Sequence, residues 1–232
     1  MIDIESLTKT YGGETVLDIP ELHIPRAECF GLVGNNGAGK TTLFRILLDL
    51  VRPSGGRVLL EGTDVSTDEE WKGRVGSYLD EHMLLGYLTP DEYFETLRKI
   101  YGLAEEDLQV HLEDFDDLFH GEIRDKKKYI RDLSKGNIKK VGIAAAFLGN
   151  PEVVVLDEPF ENLDPSSQIK LKKLINRKRE ETRTTFLISS HDLTHVTDIC
   201  DRIVLLEKGT VIRDMKEDKE AMSQALADYF EG

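Results

Sequence analysis

Apolar and polar residues alternate along the first 30 positions of the chain, beginning with Ile2 and Ile4. This period of two is typical of half-buried strands, and it predicts short strands that form an antiparallel layer. The apolar runs at 29–33 and 153–156, and the segment Phe186-Leu187-Ile188-Ser189, have the length of single strands. These runs predict buried strands that are separated by long stretches of other structure.

From Thr89 onwards, the pattern of apolar and polar residues predicts helices for about sixty residues. The sequence Thr89-Pro90-Asp91-Glu92 predicts a helix start, with an N-cap, a proline in the first position and a reciprocal glutamate. A second helix is predicted at 135–149, and a long amphipathic one at 166–181. Further strands are predicted at 57–61, 75–79, 203–206 and 210–213.

The order of these elements predicts an α/β fold, with a mostly parallel sheet, an N-terminal antiparallel β layer and a helical insertion. We interpret the whole chain, 1–232, as a single domain. Its α/β core would comprise 1–80 and 150–215, the helical subdomain 81–149, and a C-terminal helix 216–232.

A glycine-rich segment follows the first apolar run and precedes a helix-like one. It reads Gly34-Asn35-Asn36-Gly37-Ala38-Gly39-Lys40-Thr41-Thr42, the pattern of a phosphate-binding loop (P-loop). Glycines let the backbone turn tightly and present bare N–H groups to phosphate oxygens. Lys40 can then reach the β- and γ-phosphates of ATP, and the Thr41 hydroxyl can hold Mg²⁺. An ordinary strand-to-helix turn would not need Lys and Thr in this register, so the segment predicts a P-loop NTPase core.

Two carboxylates follow the apolar run at 153–156. The end of such a strand delivers side chains to the crevice where α/β sheets bind ligands. Asp157 can hold Mg²⁺ through water, and Glu158 can take a proton from an attacking water molecule. The alternative is an ordinary Asp-Glu pair at the end of a strand.

The helix predicted at 135–149 begins with Ser134 and Gly136, which offer a hydroxyl and free N–H groups. Such a start is a second candidate anion site, although taken alone it is equally a plain N-cap. Its position twenty residues before the strand that ends in Asp157 favours the functional interpretation.

Charge and composition exclude several other classes of protein. The net charge of −14 repels nucleic acid, so we expect no nucleic-acid partner. Apolar stretches are too short to span a membrane, and the first residues lack the features of a secretory signal. Cys29 and Cys200 lie in apolar surroundings, as expected of reduced, buried thiols in the cytosol.

Taken together, the motifs resemble those of the nucleotide-binding subunit of an ATP-binding cassette (ABC) transporter, over nearly the whole chain. The segment 133–137 corresponds to that family's signature sequence, and 162–164 to its D-loop. His191 corresponds to the switch histidine, and Tyr11 to the aromatic residue that stacks on adenine.

The resemblance implies a head-to-tail dimer, either of identical chains or with a similar subunit. Each ATP would lie between one subunit's P-loop and the other's Ser134 and Gly136. Asp164 would contact the partner and His191 the γ-phosphate. Simpler alternatives are a helix N-cap for Asp164, a capping group for His191 and surface packing for Tyr11. The resemblance also implies a separate transmembrane permease and a location on the cytoplasmic face of the membrane.

The chain departs from the family pattern in two places. Where the family has a glutamine that contacts Mg²⁺, this chain has Asp80, or Glu81 if the alignment slips by one residue. We expect Asp80 to ligate Mg²⁺ directly or through water. The signature carries Lys135 in place of a glycine and Asn137 in place of glutamine. The lysine in the signature and the carboxylate at the glutamine position resemble the sequences of export systems more than those of binding-protein-dependent importers.

The leading hypothesis is therefore an ATPase that powers export, with the segment 80–87 either docking the permease or belonging to the core. One alternative is a degenerate cassette that binds ATP without turnover, which the presence of Glu158 and His191 disfavours. Another is a chromosome-maintenance or translation ATPase, which would need long coiled-coil insertions or a second cassette. Neither feature occurs in the sequence.

Overall fold

The computed structural model describes residues 1–216, 219–222 and 224, and in these its strands form two sheets. The strands are β1 (Ile2–Tyr11), β2 (Glu14–Ile24), β3 (Cys29–Val33), β4 (Gly55–Leu60), β5 (Thr63–Asp64), β6 (Val75–Tyr78), β7 (Val153–Leu156), β8 (Thr185–Ser190), β9 (Arg202–Glu207) and β10 (Thr210–Met215). The helices are α1 (Lys40–Leu47), α2 (Pro90–Tyr101), α3 (Glu105–Phe119), α4 (Lys135–Ala146), α5 (Pro165–Thr182) and α6 (Leu193–Ile199).

The smaller sheet has four strands in the order β2-β1-β4-β5, and its pairings are antiparallel. Strand β1 pairs with β2 from Ile2 opposite Ile24 to Tyr11 opposite Glu14. Alternate residues such as Ile2 and Ile4 are buried, as the period of two requires. The predicted N-terminal antiparallel layer is confirmed.

The larger sheet has the order β10-β9-β3-β8-β7-β6. Strands β9, β3, β8, β7 and β6 run parallel, and only β10 is antiparallel to its neighbour within this sheet. Strands β3, β7 and β8 are buried along their whole length. This is the burial expected of a parallel sheet that is covered on both faces.

Alternate residues of the larger sheet face two separate hydrophobic clusters. Val153 and Val155 of β7 pack with the small sheet and with Phe44 of α1. Val154 and Leu156 pack with helices α2 to α6. The parallel sheet is therefore the middle of three layers, and the predicted α/β fold class is confirmed.

Helices α2, α3 and α4 lie between β6 and β7 in the chain, where the helical insertion is predicted. The capping box at the start of α2 is present, because Thr89 and Glu92 exchange side-chain and backbone hydrogen bonds. Helix α4 ends at Ala146, three residues before the predicted end. The short α6 and β5 are not predicted by the sequence pattern. The C-terminal helix predicted at 216–232 lies largely outside the described residues, of which 219–222 and 224 are helical.

Cys29 and Cys200 are both buried, and their Sγ atoms lie 3.7 Å apart without a disulfide. Burial raises the pKa of the Cys200 thiol well above its usual value. Among the described residues, no helix combines the length and the apolar character that crossing a membrane requires.

Candidate functional site

The glycine-rich segment joins the buried end of β3 to the start of α1. A Cβ atom on Gly34 would lie 2.3 Å from the carbonyl oxygen of Leu206, so only glycine fits there. Gly37 and Gly39 adopt φ angles of 83° and 107°, which side chains disfavour. Asn35, Asn36 and Gly37 are exposed at the top of the loop. The segment therefore has the tight, open turn that phosphate binding needs.

The hairpin turn between β9 and β10 contacts this loop through a backbone hydrogen bond. The Gly209 N–H donates to the carbonyl oxygen of Ala38 at 2.9 Å, and the Gly209 carbonyl oxygen accepts from the Asp18 N–H at 2.8 Å. A Cβ atom on Gly209 would lie 2.4 Å from the carbonyl oxygen of Val16. The turn is thus held between the loop and strand β2.

Lys40, the first residue of α1, is buried with its ammonium group directed into the loop. Its Nζ donates to the carbonyl oxygen of Gly34 at 2.6 Å and to that of Asn35 at 3.4 Å. It also lies 3.4 Å from Oε1 of Glu158. The loop therefore surrounds the Lys40 ammonium, a positive charge that would attract a polyphosphate.

The Thr41 hydroxyl and the Asp157 carboxylate meet beside the loop. Thr41 Oγ1 donates to Asp157 Oδ2 at 2.5 Å, and Ser189 Oγ donates to the other carboxylate oxygen. Burial raises the pKa of Asp157, while the bonds from Ser189 and Thr41 oppose that shift. Ser189 was not predicted as a site residue, and it reaches Asp157 because β7 and β8 are parallel neighbours.

Glu158 follows Asp157 and turns its carboxylate towards Lys40 and His191. Its Oε2 accepts from the His191 N–H at 3.2 Å and lies 2.9 Å from His191 Nδ1. The backbone N–H of Glu158 donates to Ser189 Oγ at 2.9 Å. The structure therefore brings three predicted residues, Lys40, Glu158 and His191, into one contact group.

Ser134 is the N-cap of α4, and its hydroxyl accepts a hydrogen bond from Asn137 N. A Cβ atom on Gly136 would lie 2.8 Å from the carbonyl oxygen of Asn162, so the helix start packs tightly against the segment after β7. Lys135 lines the same cavity as Thr41, Asp157 and Glu158 of its own chain.

Asp164 is the N-cap of α5. Its carboxylate accepts hydrogen bonds from the N–H and hydroxyl groups of both Ser166 and Ser167. These bonds hold the pKa of Asp164 well below its usual range, with that from the Ser167 hydroxyl contributing most. Within a single chain, Asp164 thus has the N-cap geometry that the sequence analysis gave as the simpler alternative.

Tyr11 lies at the end of β1 with half of its surface exposed, and the Lys9 ammonium is 4.7 Å from its ring centroid. Asp80 accepts a hydrogen bond from His82 N at 2.8 Å and lies 3.4 Å from Arg45 Nη2. Asp80 also lines the cavity that contains Thr41 and Asp157. Its side chain contacts the neighbouring loop and α1 rather than the Thr41–Asp157 pair.

The segment 80–87 is divided between core and surface. Leu84 packs against the hydrophobic cluster under the helices, whereas Met83, Leu85 and Tyr87 are exposed. Tyr87 is the most open of these, with 61% of its surface exposed. The core interpretation therefore holds for Leu84, whereas permease docking stays a prediction for Met83, Leu85 and Tyr87.

The model of the ABC transporter family matches residues 17–161. Over 217 residues, or 93% of this chain, the sequence is 34% identical to the bacitracin transport ATP-binding protein BcrA of Enterococcus faecalis. It is 37% identical over 190 residues, or 82% of the chain, to an uncharacterised ABC transporter ATP-binding protein of Synechocystis. The chain spans 69% of the length of the first relative and 53% of the second.

The fold is also similar to that of a solved ATP-binding cassette. That structure is a dimer in a post-hydrolysis state, bound to ADP and Pi. The two chains share 25% sequence identity with a TM-score of 0.83, over 93% of this chain and 98% of the other. The similarity thus extends over both sheets and the inserted helices.

Proposed function

This chain belongs to the ABC transporter family and is an ATPase of that family, and we propose that it drives transport through a separate transmembrane permease. The permease would hold it at the cytoplasmic face of the membrane. The name of the Enterococcus relative, a transport ATP-binding protein, supports this proposal. Lys135 and Asp80, which depart from the family pattern towards that of export systems, support export as the direction.

The observation that carries the proposal is the contact group around Glu158. Its carboxylate lies between the Lys40 ammonium and His191, beside the Thr41–Asp157 pair. In this position Glu158 can accept the proton of a water molecule that attacks the terminal phosphate, while His191 holds Oε2. A general base of this kind supplies roughly 10²–10⁴-fold in rate, or about 3–5 kcal/mol of barrier.

We propose that the loop amides, Lys40 and Thr42 bind the phosphates of ATP. The Thr41 hydroxyl and the Asp157 carboxylate are hard oxygen donors 2.5 Å apart, and they fit Mg²⁺. In the described part of the chain no cluster of three His, Cys, Asp or Glu side chains could hold a metal alone, so phosphate oxygens and water would complete its ligands. Bound there, Mg²⁺ would neutralise charge on the phosphates.

A head-to-tail dimer would complete the site, as the dimeric form of the related cassette suggests. Ser134 and Gly136 of one subunit would meet the nucleotide held by the other subunit's loop, because a helix start offers free N–H groups. Asp164, beside Asn162, would lie at the same interface. Tyr11, half exposed at the end of β1, would stack on adenine.

We propose that the exposed residues of the segment 80–87 contact the permease. Met83, Leu85 and Tyr87 are exposed apolar residues that follow Asp80, which lines the proposed nucleotide cavity. Replacement of Tyr87 by Asp should prevent co-purification with the permease and leave nucleotide affinity intact. Undiminished co-purification of this variant would exclude the contact.

The proposed chemistry is tested by Glu158→Gln, which keeps the side chain's shape and removes the base. With the permease present, we expect turnover to fall at least 10²-fold while the affinity for ATP is retained. Glu152→Gln, just before β7 at the opposite end of that strand, is the matched control and should keep wild-type turnover. Lys40→Ala should lose ATP affinity.

Two results would contradict the proposal. Wild-type turnover in Glu158→Gln would remove Glu158 from the chemistry. A wild-type protein that binds ATP but hydrolyses none, even with its permease, would instead be the degenerate regulatory cassette.

A further inference from the structure

Lys139 is a buried lysine that lines the proposed nucleotide cavity, and it lies in α4 between Ile138 and a second buried lysine, Lys140. Lys139 is 8% exposed, and its Nζ donates to the carbonyl oxygen of Glu158 at 2.6 Å. Its nearest carboxylate oxygen, Glu161 Oε2, is 3.9 Å away. Burial lowers the pKa of Lys139, against the opposing effect of Glu161 and Glu158. Burying an ammonium group costs free energy, so the position of Lys139 beside the Glu158 backbone needs a physical reason.

The backbone of Glu158 supplies that reason. Its φ angle is 47°, in the left-handed region that residues with a side chain rarely adopt. Such a conformation is strained and persists only where surrounding contacts fix it. Here the N–H of Glu158 donates to Ser189 Oγ, and its carbonyl oxygen accepts from Lys139 Nζ and from the Glu161 N–H.

We propose that Lys139 is a positioning residue for the hydrolytic reaction, a role that rests on the proposed function. Its ammonium fixes the carbonyl group of Glu158, which keeps the backbone in the left-handed conformation. The carboxylate is then directed towards Lys40 and His191, where the terminal phosphate would lie. Without this bond the peptide group can rotate and carry the carboxylate away from its contacts.

Helix α4 also connects Lys139 to Ser134, where the partner's nucleotide would bind in the proposed dimer. Lys139 is five residues along α4 from Ser134, the N-cap that would meet the partner's nucleotide. Because a helix is rigid over so short a distance, a shift at Ser134 would move the donor that bonds to Glu158. In the proposed dimer, nucleotide held by the partner would in this way affect the position of Glu158.

The test compares substitutions of Lys139 in the complex with its permease. Lys139→Met keeps the length and removes the donor, and we expect kcat to fall roughly 10- to 100-fold. KM for ATP and the affinity for a fluorescent ATP analogue should stay within about threefold of the wild type, because the phosphate loop is unchanged. Lys139→Arg retains a charged donor and should recover most of kcat.

Lys178→Met is the matched control. Lys178 is also largely buried, with 12% of its side chain exposed, but its Nζ pairs with Asp114 at 2.7 Å on the far side of α5. This variant should keep the wild-type kcat. If Lys139→Met does not fold, Lys139→Gln replaces it, because its amide is too short to restore the same bond.

A wild-type kcat in Lys139→Met would overturn the inference. So would equal loss of nucleotide affinity and kcat in both the Met and the Arg variants, since that pattern indicates a structural role. Failure of the proposed function has a different signature, because it would appear in the wild type and in Glu158→Gln without any change at Lys139.

Discussion

His111 makes the stability of this protein depend on pH in a way that can be calculated. The ring lies on α3, is 8% exposed, and its Nε2 is 2.9 Å from the carbonyl oxygen of Ala144 in α4. Since a carbonyl oxygen can only accept, Nε2 carries the proton in the neutral ring. Burial lowers the pKa of His111 to about 4, against the opposing effect of the bond to Ala144.

The sign follows from comparing the folded and the unfolded states. Above the unfolded pKa of about 6.5 the ring is neutral in both states, and its contribution to stability is fully present. As the pH falls below that value, His111 becomes protonated in the unfolded chain, whereas in the folded protein it stays neutral until the pH reaches about 4. The free energy of unfolding should therefore fall by about 2 kcal/mol between pH 7 and pH 5 through this group alone.

Urea denaturation at several pH values measures the effect. His111→Gln keeps an N–H donor for Ala144 but cannot titrate, so its free energy of unfolding should fall by about 2 kcal/mol less over the same interval. At pH 8 His111 is neutral in both states, and the difference between the two proteins there reports packing alone. Parallel stability curves from pH 8 to pH 5 would refute the reasoning.

Two further predictions concern β6 and the loop that follows it. A Cβ atom on Gly76 would lie 1.7 Å from the carbonyl oxygen of Ala146, so Gly76→Ala should lower the free energy of unfolding by about 3 kcal/mol. Gly73→Ala, with no atom within 4 Å of its Cβ, should change it little; equal stability of the two variants would contradict the packing. If Asp80 contacts Mg²⁺, Asp80→Ala should raise the Mg²⁺ concentration needed for half-maximal turnover several-fold, and Asp80→Asn should keep the contact with His82. An unchanged Mg²⁺ titration of both Asp80 variants would remove the metal role.

Long elements with strong periodicity could be predicted from the sequence. Strands β3 and β7 and helix α5 lie within one or two residues of their predicted bounds, because their apolar patterns are uninterrupted. The seven-residue α6 could not be predicted, since so short a helix is stabilised by packing rather than by its own sequence. Nor does local pattern indicate that the strand at 55–60 joins the antiparallel sheet while the strand at 75–78 joins the parallel one.

The site could be predicted where a motif concentrates its residues, and not where contacts come from distant parts of the chain. Lys40 and Thr41 were identified by the P-loop pattern, and Asp157 because it follows a buried strand whose end faces the ligand crevice of an α/β sheet. Ser189 and Lys139 contact Glu158 across 31 and 19 positions, and neither belongs to a motif. The pair of lysines at 139 and 140 among the apolar residues of α4 was the available signal, since buried lysines need a partner.

The β9–β10 hairpin has a practical implication for anyone modifying this molecule. Surface hairpin tips are normally the safest places to insert an epitope tag or a fluorescent label. Here the tip is clamped, with Gly209 bonded on one side to Ala38 and on the other to Asp18. An insertion at that point would displace the backbone of the proposed phosphate-binding loop, so labels belong elsewhere on this ATPase.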